Sequence, residues 1–267
     1  MKLDVNRFKE VLRDYLFAPR AICLGCKDKR GADQGYLCAK CYSALQPLYL
    51  QELAEAPICA FCGDVKIGNR CPTCARRNAK TLRAFAAYDY AEPVRQLVHE
   101  IKFSGWWRLA DWMAQEMAKA LASCPPYPAT VITAVPLSKQ RMRERGYNQS
   151  EKLGRALAQL TGILYQNLLF RRVNTRQQAT LSAIQRRNAL KGAFQAIKPL
   201  SGQRVLLVDD VRTTGTTMVR CAEALFEAGA EDVAVISFAC ALKHPPLSRR
   251  YNPDRGIKLV KPEPDDF

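Results

Sequence analysis

Histidine is almost absent from this chain: His99 and His244 are the only two in 267 residues. His99 sits in a helical run and His244 in a charged tail, so imidazole-based catalysis is not expected. No window approaches eighteen uncharged apolar residues, so no membrane-spanning helix is expected. The apolar residues near the N-terminus are interrupted by Asp4, Arg7, Lys9, Glu10, Arg13 and Asp14. They leave no signal-peptide core, and the expected location is the cytoplasm. No G-x-x-x-x-G-K-[ST] run exists, so a P-loop is not supported. Acids are scarce, with 25 Asp and Glu against 41 Lys and Arg, a formal charge of +16. Between Lys139 and Lys191 there are twelve cations and two acids, so +10 of that excess falls in 53 residues. Such a patch favours phosphate-rich partners, either a polyphosphate ligand or nucleic acid.

Cysteine, by contrast, is plentiful. Eight of the eleven cysteines form C-x-x-C pairs: Cys23/Cys26, Cys38/Cys41, Cys59/Cys62 and Cys71/Cys74. A two-residue gap on a tight turn points both thiolates at one metal, and two such knuckles complete a tetrahedral site. The short connections favour sequential pairing, Cys23/26/38/41 and Cys59/62/71/74, over a cross-braced arrangement. Two structural zinc ions are expected, each site carrying about −2. Cys124, Cys221 and Cys240 follow no pattern and read as ordinary packed residues.

The most informative run is RVLLVDDVRTTGTT, residues 204–217. Its apolar stretch over 205–208 reads as a buried parallel strand. Asp209 and Asp210 follow, then Arg212, Thr213, Thr214, Gly215, Thr216 and Thr217, leading into a helical pattern. Small hydroxyl residues around a glycine let backbone amides approach a phosphate, and a helix N-terminus adds positive potential. The acids suit ribose hydroxyls or a magnesium ion. Paired acids after LLV also open receiver domains, but fewer than sixty residues follow here. The run resembles the 5-phosphoribosyl-1-pyrophosphate (PRPP) motif of the type I phosphoribosyltransferases.

Strands are expected at 82–90, 131–135, 168–173, 205–208 and 233–239. Helices are expected at 1–20, 93–103, 109–121, 151–160 and 214–228, with Gly229 ending the last. Strands alternating with helices imply a parallel α/β sheet with its ligand at the carboxyl edge. The basic stretch 174–192 and the tail from Lys243 have little core pattern and are expected to be mobile. After the strand at 131–135 come Lys139, Arg141, Arg143 and Arg145, then Gly146, Tyr147, Asn148, Gln149 and Ser150, with Ser150 a candidate helix cap. Trp106, Trp107 and Trp112 offer rings for stacking on bases, although Trp112 fits a core position better.

PLSKQRMRERGYNQSEKLGRALA, TRQQATLSAIQRRNALKGAF and VLLVDDVRTTGTT, preceded by the cysteine pairs, resemble the ComF/GntX family in order and content. The resemblance covers roughly residues 15–242. It implies a zinc-binding N-terminal region (1–80, a double zinc ribbon after an N-terminal helix), a type I phosphoribosyltransferase-like domain (81–242) and a tail (243–267). It also implies a part in DNA uptake during competence or in the use of external DNA as a nutrient, alongside other DNA-uptake proteins. Carried across, Asp209 and Asp210 meet the ribose and Mg²⁺, and Thr213 to Thr217 the 5-phosphate. Arg141, Arg145, Tyr147 and Asn148 match the loop near pyrophosphate. Arg176, Gln178, Arg186 and Asn188 match a mobile basic segment. Arg143, Arg171, Arg172, Arg176, Arg186 and Arg187 are candidates for single-stranded DNA. The alternative is an active phosphoribosyltransferase on a nucleobase-like acceptor in nucleotide salvage, for which no base-reading hood is recognisable. Two departures from the family stand out, the aromatic run 103–107 and the long tail.

Overall fold

The computed structural model describes residues 22–28, 36–45, 47–48, 71, 82–172 and 192–241. The expected N-terminal helix, Cys59, Cys62 and Cys74, the basic residues Arg176, Gln178, Arg186, Arg187 and Asn188, and the tail lie outside them.

The elements in chain order are α1 (Ala39–Ser43), β1 (Arg83–Asp89), α2 (Val94–Phe103), α3 (Leu109–Ala122), β2 (Val131–Ala134), α4 (Lys139–Arg145), α5 (Gln149–Thr161), β3 (Leu164–Tyr165), β4 (Leu169–Arg171), β5 (Phe194–Ala196), β6 (Arg204–Arg212), α6 (Thr216–Glu227) and β7 (Asp232–Cys240). Five strands form one sheet in the order β1-β7-β6-β2-β3, and β4 pairs with β5 separately. Every pairing in the large sheet is parallel.

The sequence explains why this sheet is covered on both sides. Side chains alternate across a strand, so an unbroken apolar run supplies two apolar faces. Leu206, Val208, Ala234, Ile236 and Phe238 join the core built by α2, α3 and α5. Val205, Leu207, Val233 and Val235 join the core built by α6 and the β4–β5 pair. Helix α2 buries Val94, Leu97, Val98 and Ile101, spacings of three and four that make one stripe. Truncating Leu97 to alanine there would cost about 2–5 kcal/mol. Gly154 lets α5 approach β2 and β3 closely: a Cβ at this position would stand 2.8 Å from the Tyr165 ring.

The cysteine knuckle packs against this domain. Cys23, Leu24, Leu37 and Cys41 belong to the same core as β1 and α3. Pro47 bridges antiparallel to Tyr88, and the Leu48 N–H donates to Ala87 O at 2.8 Å, covering the outer edge of β1.

Four local expectations change. Strand β6 runs through Arg212, so the two acids lie within the strand; β7 is long enough to keep pairing as far as Arg212 with Cys240. Lys139 to Arg145, expected as a loop, form α4, because Ser138 caps its Arg141 N–H and Gly146 ends it at φ 76°. Asn148, not Ser150, caps α5, its side chain accepting from the Ser150 N–H. The strand expected over 168–173 shortens to Leu169–Arg171.

Candidate functional site

Strand order places the site. From β6 the chain crosses through α6 to β7 on one side, and from β2 through α5 to β3 on the other. The connections diverge between β2 and β6, and a crevice opens there at the carboxyl ends of the strands. Segments after β2 and after β6 form its walls.

Asp209 and Asp210 stand at the base of this crevice. Ser150 Oγ, in the first turn of α5, donates to Asp209 Oδ1 at 2.7 Å and so ties the two walls together. Burial and the neighbouring Asp210 charge push the Asp209 carboxyl up to about 7, against the opposing pull of Ser150 and Lys102. Asp210 is buried and forms an ion pair with Lys102 Nζ at 3.0 Å, while its Oδ1 accepts from the Val211 N–H at 2.7 Å. Lys102 closes α2, far away in sequence. No local spacing points to its contact with Asp210, and the sequence reading missed it, as it did the Ser150–Asp209 bond.

Beyond the acids, Gly215 precedes α6 at φ 71°, a conformation that glycine adopts freely, and gives no side-chain cap to the helix. Of the first-turn N–H groups, that of Thr216 reaches Thr214 Oγ1 at 3.5 Å, and the Thr214 and Thr216 hydroxyls lie 3.0 Å apart. A helix N-terminus of this kind, next to small hydroxyl residues, binds phosphate well.

The residues after β2 divide into two groups. Arg145 and Tyr147 are half-buried near the acids. The Arg145 guanidinium lies in the field of Asp210, while burial lowers its pKa. Tyr147 OH donates to Ile101 O, joining this wall to α2. Arg141 is half-buried on α4, and Lys139 and Arg143 are exposed there. Asn148, by contrast, is buried and occupied with structure: it caps α5, and its Nδ2 donates to Val135 O at 3.0 Å. Arg212, expected to face a ligand, is 1% exposed and belongs to the interior. Arg171, expected on a nucleic-acid face, is half-buried with its guanidinium 5.5 Å over the Phe194 ring; Arg172 is exposed.

The cysteine cluster is a second centre. The Sγ atoms of Cys23, Cys26, Cys38 and Cys41 all lie within 4.8 Å of one another. Four thiolates at about 2.3 Å from one ion would stand about 3.8 Å apart, and Cys26 and Cys38 are at 3.9 Å. The set fits a tetrahedral metal ion. Burial pushes the Cys23 thiol up, but backbone N–H groups of Cys38, Cys26 and Gly25 outweigh it and hold the thiol at about 7. Gly25 has no room for a side chain, since a Cβ would meet Pro93 at 2.9 Å and Cys41 Sγ at 3.0 Å. Cys71 is buried in the other core, among residues such as Ala84.

Among the described residues no helix is long and apolar enough to cross a membrane.

A parallel sheet with an acid pair at its switch point and a threonine–glycine loop opening the next helix defines a phosphoribosyltransferase-type domain. The profile of the phosphoribosyl transferase domain matches residues 157–266. The DNA utilization protein YhgH of Salmonella typhi is 31% identical over 221 residues, 80% of this chain and 94% of that protein. Competence protein F of Haemophilus influenzae is 28% identical over 82% of this chain and 96% of its own length. Competence protein ComFC of Streptococcus pneumoniae is 27% identical over 77% and 88%. The chain belongs to the ComF/GntX family of competence and DNA-utilisation proteins.

Proposed function

We propose that the protein is a cytoplasmic DNA-utilisation factor that binds PRPP, or a related phosphoribosyl ligand, together with single-stranded DNA. The observation that carries the ligand is the meeting of Asp209 and Asp210 with the Thr213–Thr217 loop at the N-terminus of α6. In this reading the ionised acids accept from the two ribose hydroxyls. Backbone N–H groups and threonine hydroxyls hold the 5-phosphate. Arg145 and Arg141 face the pyrophosphate as charge-assisted donors. A bound Mg²⁺ would neutralise part of the pyrophosphate charge. Ser150 orients Asp209, and Lys102 pairs with Asp210. Zinc is the metal that four thiolates without an open position suit best, in a structural role. A second zinc at Cys59, Cys62, Cys71 and Cys74 completes the proposal.

The DNA part rests on the relatives, a DNA utilization protein and a competence protein by name, and on the +10 segment. Titration of Mg²⁺–PRPP and of an oligothymidylate into one sample by calorimetry tests both. Saturable PRPP binding that Asp209→Asn/Asp210→Asn abolishes supports the site, and binding unchanged in that variant refutes it. Pyrophosphate release only when a nucleobase is added would instead favour the salvage enzyme.

A further inference from the structure

The corner between α2 and α3, residues 103–107, has no part in the phosphoribosyl site described above. Phe103 is 63% exposed, the most exposed large apolar residue among those described. Its ring has the His99 ring at 4.9 Å and the Arg145 guanidinium at 4.9 Å from its centroid. Trp107 carries Lys152 Nζ 5.0 Å from its ring centroid. Trp106, between them, packs instead against the core. The corner is fixed against the crevice twice, through the Tyr147 hydroxyl on Ile101 O and the Lys102–Asp210 ion pair.

A surface aromatic with a cation over it can be a self-contained contact. Two observations point further. Arg145 Nη1 is buried with no hydrogen-bond partner among the described residues. And Arg145 belongs at once to the ring and to the field of Asp210, so the exposed ring borders the crevice directly. Rings interleaved with cations, beside a helix with four cations and one acid (α4), match how proteins hold single strands: bases stack and phosphates meet cations.

We propose that Phe103 and Trp107 form a base-stacking ledge for single-stranded DNA, with the strand's phosphates running over α4 past Lys139 and Arg143. The ledge gives the DNA its base contacts, and α4 supplies charge without reading sequence. Arg145 is shared, turning its free Nη1 to a phosphate or base edge when the strand docks. The inference rests on the DNA-binding reading above, and the experiment separates the two.

Full-length protein is titrated, by fluorescence anisotropy at several salt concentrations, into a labelled oligothymidylate and into an abasic strand of equal length and charge. The parent should prefer the base-bearing strand. Phe103→Ala and Trp107→Ala should each weaken oligothymidylate binding on the order of 5- to 100-fold. Both should leave abasic affinity and the salt slope unchanged, and Phe103→Tyr should restore binding. Arg143→Ala should weaken both strands and lower the slope by about one. Because Phe103 is exposed, its variants should melt as the parent does. Oligothymidylate binding unchanged in both alanine variants overturns the ledge while leaving DNA binding standing. A parent that binds neither strand at low salt overturns both. Competition by free thymidine monophosphate at the strand's own affinity would mean a nucleotide pocket and would also overturn the ledge.

Discussion

Asp209 should make the folded protein less stable as pH rises. Its carboxyl stands at about 7 against an ordinary 3.8, because burial and the Asp210 charge outweigh the Ser150 hydrogen bond and Lys102. A carboxyl raised in the folded state holds its proton more tightly there than in the unfolded chain. The stability this contributes is complete below about pH 4 and is lost as pH rises to about 7. Within that window each pH unit costs about 1.4 kcal/mol. From 3.8 to about 7 is about three pH units, so the full effect is about 4 kcal/mol. Glu100 works in the other direction. Burial pushes it up, but Lys27, Ser104 and Gln96 outweigh that and hold it below the ordinary range, so its contribution is lost as pH falls. The measurement must therefore be a difference. Asp209→Asn resembles the protonated carboxyl and removes the linkage. Denaturant unfolding of parent and variant should agree near pH 4, with the variant ahead by about 4 kcal/mol near pH 8. Ser150→Ala should extend the window upward, since a hydrogen bond to the charged form, worth about 1.5–3 kcal/mol, is lost. On the proposed reading, phosphoribosyl binding to the ionised Asp209 should strengthen over the range in which stability falls. A parent-minus-variant difference that stays flat from about pH 4 to 8 refutes the raised Asp209 carboxyl.

Three further outcomes are expected. Lys102→Met leaves Asp210 buried without its ion pair and should cost about 3–5 kcal/mol by chemical denaturation; a loss under about 1 kcal/mol would mean water already screens the pair. Gly154→Ala drives a Cβ into the Tyr165 ring and should cost about 1–3 kcal/mol, and an unchanged melting temperature would show that the ring swings away freely. Metal analysis should find two zinc ions per chain, and chelation should lower the melting temperature because Cys23 and Cys41 are part of the main core; one ion or none would refute the two-site proposal.

The sheet was legible because its signal is local. VLLV and DVAVISFAC are apolar on both faces, and only a parallel sheet between two helical layers buries both. The Cys23/Cys26 and Cys38/Cys41 pairs were legible for the same reason, since each knuckle is made by four consecutive residues. The small departures are also local and have causes. Arg212 sits in a ligand-like run, but strand alternation and the length of β7 carry it into the interior. Asn148 and Ser150 are two positions apart and both cap well; the one that also reaches Val135 O becomes the cap, which leaves the Ser150 hydroxyl for Asp209.

Helix α2 is the part that could not be read, because its role is entirely tertiary. In sequence it is an ordinary amphipathic stripe. In the fold its polar residues join the two centres of the molecule. Glu100 accepts from Lys27, at the turn of the cysteine knuckle, at 2.6 Å. Two residues later Lys102 reaches Asp210 at 3.0 Å. Its N-terminal Pro93 abuts Gly25, and its C-terminal Ile101 carbonyl holds Tyr147. The knuckle, the acid pair and the basic wall thus share one rigid element. A cation at Lys102 has meaning only because the apolar stripe on the opposite side fixes α2 against the sheet. The stripe is written in the sequence by its period, and the partners it brings within reach are fixed by the fold.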